Sequence, residues 1–389
     1  MSIHSSPLGQ AGARDTGGMS TYLRGLAGAL GQAGHRVDIF TRAAAPGPEE
    51  IRAISPNVRL VQPDDGLGPL NKEEIYPHCP AIADSIDAFR IRAKITYQVI
   101  FSHYWLSGCV GRILQQRWKT PHLVMFHTLG RAKNEACSAE NEPRLRLEEE
   151  EKLASESDRI IVAAEQEKIK ILGYYDLPEE RVKVIPCGID RDLFRPLDRA
   201  EAKRQLGFDR EKIILFVGRI EPVKGLDLLI RAVAKLPADD NYRLIIVGGD
   251  ERSSALIAKL TKIAFETGIA GKITFQGLVE HEQLPLYYNA ADVTAVTSYY
   301  ESFGLAALES IACGTPVVAG PVGILPELIT SVDKGRLGYL VKGRSPESWA
   351  ATIHQALTRP EVIRAEEIDR KLASFSWTEA AARLAGYAL

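Results

Sequence analysis

The sequence predicts an α/β fold of two doubly wound units facing each other across a cleft. Three observations carry that expectation. Short β-branched runs alternate with helical stretches in both halves, the pattern of βαβ units around a buried parallel sheet. The 389 residues correspond to two domains or slightly more at ~150 residues each. A turn-rich stretch, Pro186 to Pro196 (PCGIDRDLFRP), lies near mid-chain and reads as the crossover. The expected units are therefore 1–188 and 189–372. Residues 373–389 form a return helix counted with the first unit, although its sequence fits a seat on either.

Taken in order, the first strand looks short. Only Ser2, Ile3 and His4 precede the turn at Ser5-Ser6-Pro7, against ~5–6 residues for a typical strand, as in a shortened start. Apolar residues at helical spacing (Met19, Tyr22, Leu23, Leu26, Leu30) predict a helix over Met19 to Ala33. Strands follow at Val37 to Phe40, Val99 to Phe101, His122 to Phe126 and Ile160 to Val162, with a helix at Glu148 to Ser155 whose outer face is acidic. In the second half, strands at 213–217 and 244–247 alternate with helices at 226–236 and 255–265. The runs at 273–275, 284–288, 293–296, 305–311 and 316–319 continue the alternation. Ser376 followed by Glu379 predicts a capping box on the last helix.

Lys plus Arg is 48 and Asp plus Glu is 50, a balance that argues against a general nucleic-acid binder. No apolar run approaches the ~20 residues of a membrane span, and the start lacks a signal-peptide pattern. Five scattered cysteines without CxxC suggest neither a zinc site nor a disulfide framework, so a cytoplasmic location is expected.

Four segments can carry chemistry. In Tyr300-Glu301-Ser302-Phe303-Gly304, with Glu309 eight residues after Glu301, a carboxylate precedes a helix start, where free N–H groups hold anions. Gly218-Arg219 to Lys224-Gly225 follows the strand 213–217. Two cations on such a turn suit a diphosphate, because ligands bind beyond the carboxyl ends of strands. Arg14-Asp15-Thr16-Gly17-Gly18 opens the first helix as a second anion-approach loop. Ser102-His103-Tyr104-Trp105 and Phe126-His127-Thr128-Leu129-Gly130-Arg131 follow strands and line the expected cleft. Lys72, Arg131, Lys133, Arg144 and Arg146 form a basic group that suits a phosphorylated ligand or a solvated face. Two motifs carry little: Asp190-Arg191-Asp192 lies in the crossover, so metal binding is not expected, and Gly66-Leu-Gly68 lacks the context of a dinucleotide fingerprint.

These segments, with DTGGMSTYL, SHYWLSG, FHTLGRAKN, VIPCGIDRDLF, VGRIEPVKGLDLLI and ESFGLAALESIACGTPVVA, resemble the retaining glycosyltransferases of family 4 over nearly the whole chain. The first half is most similar to D-inositol 3-phosphate glycosyltransferases and also resembles sucrose-phosphate synthases. The resemblance implies a GT-B fold of two Rossmann-like domains, an acceptor-binding first half and a nucleotide-sugar-binding second half. It implies that Arg219 and Lys224 neutralise the donor diphosphate, that Glu301 contacts the transferred sugar beside Phe303, Gly304 and Leu305, and that Glu309 holds the ribose. Gly17 and Gly18 would approach the diphosphate, His127 a sugar hydroxyl, and Lys72, Tyr104, Thr128 and Arg146 an acceptor phosphate. Ser20 stands where the inositol-phosphate enzymes carry Asn, and Ala163 and Ala164 replace polar residues.

The implied reaction is hexosyl transfer with retention, from a nucleotide diphospho-sugar, UDP-sugar favoured, to a phosphorylated polyol or sugar. No cofactor or metal is expected, and homo-oligomerisation is compatible with it. Transfer to a hexose phosphate, or to an unphosphorylated acceptor, is the alternative. A nicotinamide-dependent oxidoreductase is disfavoured by the missing Gly-x-Gly-x-x-Gly, and a nucleotide-sugar sensor by the second substrate pocket.

Overall fold

The computed structural model describes residues 1–8, 17–43, 47–208, 210–237, 241–329, 337–358 and 363–388. In the first half the strands are β1 (Val37–Phe40), β2 (Glu50–Ser55), β3 (Val58–Gln62), β4 (Ile100–His103), β5 (His122–Met125), β6 (Arg159–Val162) and β7 (Val182–Val184). They lie in the orders β1-β3-β2 and β4-β5-β6-β7. The short start joins these two sheets. The Ser2 N–H donates to Phe40 O at 2.9 Å, and the His103 N–H donates to Met1 O at 3.0 Å. β2, β3 and β7 were not expected from the sequence. β2 is an antiparallel edge strand whose residues EIRAIS are mostly exposed, so it carries no buried alternation to read. The helix Cys79–Ala93 is a further addition, with Ile82, Ile86 and Phe89 on its buried stripe.

The second half forms β8 (Lys212–Val217), β9 (Tyr242–Val247), β10 (Ile273–Gly277), β11 (Val293–Val296), β12 (Val317–Ala319) and β13 (Gly338–Leu340). They make one parallel sheet, ordered β10-β9-β8-β11-β12-β13. Ile213, Ile214 and Leu215 are wholly buried. This is why β8 reads as an unbroken apolar run rather than an alternating one. Strand order reverses at β8, which opens a crevice at the carboxyl ends of β8 and β11.

The last helix, Trp377–Ala388, packs on the first-half helix Gly18–Gln32. The Trp377 ring meets Tyr22 edge-on at 5.6 Å. A Cβ on Gly25 or Gly188 would lie 2.2 or 2.3 Å from Trp377 atoms, so only glycine fits beneath the indole. The expected capping box is replaced by a simple N-cap bond, Ser376 Oγ accepting the Thr378 N–H at 3.2 Å. Glu379 turns instead to Arg383 at 2.9 Å. All five cysteines are free and buried. Among the described residues no helix is long and apolar enough to cross a membrane.

Candidate active site

The chain leaves β8 at Gly218-Arg219. A 3-10 turn, Pro222–Lys224, then ends on Gly225 at φ 65°. A Cβ there would stand 2.4 Å from Thr297 O, so glycine lets this loop press against the segment after β11. Two hydrogen bonds stitch them: Thr297 Oγ1 donates to Lys224 O at 2.9 Å, and the Tyr299 N–H donates to Val223 O at 2.8 Å. The stitching brings Lys224 Nζ to 2.6 Å from Glu301 Oε1, an oxygen that also accepts from Ser298 Oγ at 2.7 Å. Arg219 Nη1 lies 2.7 Å from Glu221 Oε1.

Gly304, at φ 114°, starts the helix Leu305–Ala312. Phe303, Gly304 and Leu305 line the cleft, so the positive end of that helix faces it. Further along, buried Glu309 accepts the Tyr288 hydroxyl at 2.7 Å and lies 3.7 Å from His281 Nε2.

The facing wall comes from the first half. A Cβ on Gly17 would sit 3.5 Å from Arg219 Nε, and one on Gly18 would sit 3.1 Å from Leu305 Cδ1. Arg14, Asp15 and Thr16 lie outside the described residues. His127 has a left-handed backbone, φ 59°, and its Nε2 pairs with His103 Nδ1 at 2.9 Å. Burial pushes the His127 imidazole down to about 3, and burial also lowers His103. The pair is therefore neutral at neutral pH, one ring donating and the other accepting. His127 can hydrogen-bond a hydroxyl but brings no charge.

Arg146 is 2% exposed and its guanidinium is fully committed. Nε reaches Glu150 Oε1 at 2.6 Å, Nη1 reaches Glu142 Oε2 at 2.8 Å, and Nη2 donates to Thr128 O at 2.6 Å and Thr128 Oγ1 at 3.1 Å. Its Cζ sits 4.8 Å over the Tyr104 ring. Burial opposes its charge, and Glu150, Tyr104 and Glu142 more than offset that.

The basic group expected from the sequence splits. Lys72, Lys133 and Arg146 line the cleft. Arg131 does not: it donates to Tyr174 O and covers Tyr174 and Tyr175. Arg144 is exposed and pairs with Glu148. Lys133 is held between Glu140 at 3.0 Å and Glu142 at 2.6 Å. Burial opposes ionisation of Glu142, but Arg146 and Lys133 hold its carboxyl down at about 2. Lys72 makes no ion pair among the described residues and touches solvent. Asp190 has a structural role, its Oδ1 accepting the N–H groups of Asp192 and Leu193 at 3.0 Å each. No group of three potential metal-ligating side chains occurs among the described residues.

Thus His127, Arg219, Lys224, Glu301, Gly17, Gly18, Phe303, Gly304, Leu305, Glu309, Lys72, Tyr104, Thr128 and Arg146 all line one cleft. The cleft is open to solvent. Sequence reasoning missed several partners. The His4 ring lies 4.4 Å from the Tyr104 ring, and its Nδ1 has no hydrogen-bond partner among the described residues. Glu142 and Glu221 counter the cations, and Tyr300 bridges the halves. The sequence signal for His4 was its place at the end of the expected strand Ser2–His4, a segment that the structure forms as a bend rather than a strand.

Glu167, 4% exposed, accepts from the Tyr300 hydroxyl at 3.3 Å. Burial pushes its carboxyl from 4.5 up to about 8, against the Tyr300 and Ala163 hydrogen bonds and the Lys170 charge. The folded chain then keeps a proton that the unfolded chain has lost, so stability falls as pH rises from about 4.5 to about 8. Glu167→Gln is expected to remove this slope. Its melting temperature should exceed that of the wild type at pH 8 and not at pH 5; identical differences at both pH values count against the assignment.

Residues 16–193 match the model described as Glycosyltransferase Family 4, and residues 198–371 the one described as Glycosyl transferases group 1. The chain is 39% identical to a D-inositol 3-phosphate glycosyltransferase of Geodermatophilus obscurus, covering 97% of this chain and 85% of that protein. It is 38% identical to that of Mycolicibacterium smegmatis, covering 100% and 89%. Among solved structures, a sucrose-phosphate synthase from Thermosynechococcus elongatus superposes with a TM-score of 0.89 at 32% identity, covering 99% and 96% of the two chains. HepE from Anabaena, in complex with UDP and glucose, shares the fold at 19% identity and a TM-score of 0.76, with 97% of each chain covered. The chain belongs to the family 4 glycosyltransferases and is a glycosyltransferase of the GT-B fold.

Proposed function

We propose that this glycosyltransferase moves a hexosyl group, with retention at the anomeric carbon, from a nucleotide diphospho-sugar to a hydroxyl of a phosphorylated polyol or sugar of the inositol-phosphate kind. UDP is the favoured nucleotide. The supporting observation is the convergence of Arg219, Lys224, Glu301 and the start of helix Leu305–Ala312 on one wall, opposite His127, Tyr104 and Lys72. In this reading the second half holds the donor and the first half the acceptor. Arg219, Lys224 and the helix start stabilise charge on the departing diphosphate. Glu301 and neutral His127 accept or donate hydrogen bonds to sugar hydroxyls, and Glu309 binds the ribose.

No carboxylate here is assigned as a nucleophile. The acceptor attacks on the face the leaving group vacates, and the diphosphate takes its proton. Positioning and electrostatics carry the rate, and cleft closure excludes water. The reaction as proposed needs no resident cofactor. We place it in the cytoplasm, a reducing compartment that suits five unpaired cysteines.

A hexose phosphate acceptor is the second reading. It is favoured by Ser20, which is buried, turns its Oγ to Ser6 O at 3.3 Å and is not among the residues that line the cleft.

A panel of UDP-sugars against paired phosphorylated and unphosphorylated acceptors tests both readings. Only phosphorylated members are expected to be glycosylated. Lys72→Ala should raise the KM of the phosphorylated acceptor about tenfold, worth ~1.4 kcal/mol, with the donor KM little changed. An equal rise in both KM values sinks the acceptor assignment.

A further inference from the structure

We propose that Tyr300 is a positioning residue: its hydroxyl latches the Glu301 wall to the loop that carries His127, so that the catalytic side chains of the two halves are assembled together. This rests on the glycosyl-transfer reading above.

Tyr300 directly precedes Glu301 and is 5% exposed. Its hydroxyl crosses the cleft. It accepts the Leu129 N–H at 3.1 Å and donates to Glu167 Oε1 at 3.3 Å, both in the first half. Leu129 is two residues beyond His127, which is held at φ 59°, a conformation that costs energy for a residue with a Cβ and persists only when its surroundings impose it. The loop is anchored at successive residues. Thr128 O accepts from Arg146, and the Gly130 N–H donates to Glu150 Oε2 at 2.9 Å. Those two partners belong to the first half. The partner of the Leu129 N–H belongs to the second.

Leu129 is wholly buried, so separating the walls strips a buried N–H and a buried hydroxyl of their partners at once. The loop bearing His127 therefore gains its last anchor only when Glu301 and Lys224 have arrived opposite it. Among the described residues other polar contacts also bridge the halves: Glu140 accepts the Val223 N–H at 3.2 Å, exposed Arg344 donates to Ala136 O at 2.8 Å, and Glu327 accepts a backbone hydrogen bond from Glu165. None of these involves residues 127–130.

Tyr300→Phe removes one oxygen and keeps the buried ring. It is expected to lower kcat at least tenfold, about 1.4 kcal/mol, while the Kd for UDP stays within about threefold. The fraction of donor hydrolysed rather than transferred should rise, because closure excludes water. Glu167→Gln keeps an oxygen for the Tyr300 hydroxyl and should lose less than about threefold in kcat, whereas Glu167→Leu should resemble Tyr300→Phe. An unchanged kcat overturns the proposal. So does a joint fall of kcat, UDP affinity and melting temperature, which marks a merely structural residue. If the wild type transfers sugar to no acceptor, the glycosyl-transfer reading fails by itself. The latch is then read by small-angle scattering with UDP, where Tyr300→Phe should have a larger radius of gyration than the wild type; equal radii refute it.

Discussion

Lys224→Ala is expected to lower turnover with the natural donor at least tenfold, roughly 1.4 kcal/mol or more. Lys224 is 15% exposed at its side chain and stands 2.6 Å from Glu301. In the reaction proposed here it serves two charges in succession. Before donor binding it balances Glu301. With a diphosphate in the cleft it turns to the phosphates and leaves Glu301 free for sugar hydroxyls. Alanine removes both roles, leaving an unbalanced carboxylate beside an anionic substrate. The loss should appear in kcat more than in acceptor KM, since charge on the diphosphate grows as the glycosidic bond breaks. Lys224→Arg keeps the charge but puts a bulkier planar fork where a compact ammonium meets Glu301, and should recover activity only in part. Steady-state kinetics with a UDP-sugar decides it: wild-type turnover in Lys224→Ala removes the diphosphate clamp from the mechanism.

Arg146→Ala is expected to cost about 3–5 kcal/mol of stability, the range for breaking a buried ion pair by removing one partner. The sequence suggested a ligand for acceptor phosphate. In the structure each nitrogen of the guanidinium already faces Glu150, Glu142 or Thr128. Its loss would leave Glu150 buried without its cation, Glu142 with Lys133 alone, and Thr128 O without its donor. Arg146 therefore organises the first-half wall of the cleft, holding Thr128 and lying against the Tyr104 ring. Urea denaturation measures the effect, and a midpoint close to that of the wild type would falsify the assignment. The contrast with Lys72 is informative. Lys72 has no ion pair among the described residues and touches solvent, so its removal tests the acceptor without testing the fold.

Much of the second half was legible because its strands are buried on both faces. Unbroken runs such as Ile213 to Val217 need no long-range information to be read. The charged loop after β8 and the Glu301 segment could be paired in advance because both follow strands of one sheet, and the ends of such strands share a crevice. The edge strand β2 was not legible, since an exposed edge imposes no apolar pattern. The basic group at 72–146 was half legible: the side chains are present, but their partners were not visible. Arg131 turns to Tyr174 and Lys133 to Glu140 and Glu142. Those choices depend on where the helix Arg144–Glu156 lies.

Residue type and spacing by themselves determined the two-unit α/β architecture, the two cations, the two glutamates and the helix start that line one wall of the cleft. Each of these is a local property, set by burial pattern and by a few neighbouring residues. Tertiary structure alone decided which charges remain free for a ligand, where Trp377 seats the last helix, and that Tyr300 reaches Leu129, 171 residues away in the chain. The physical reason is that charge pairing, steric fit against Gly25 and Gly188, and satisfaction of buried N–H groups depend on distances between segments that sequence order does not encode.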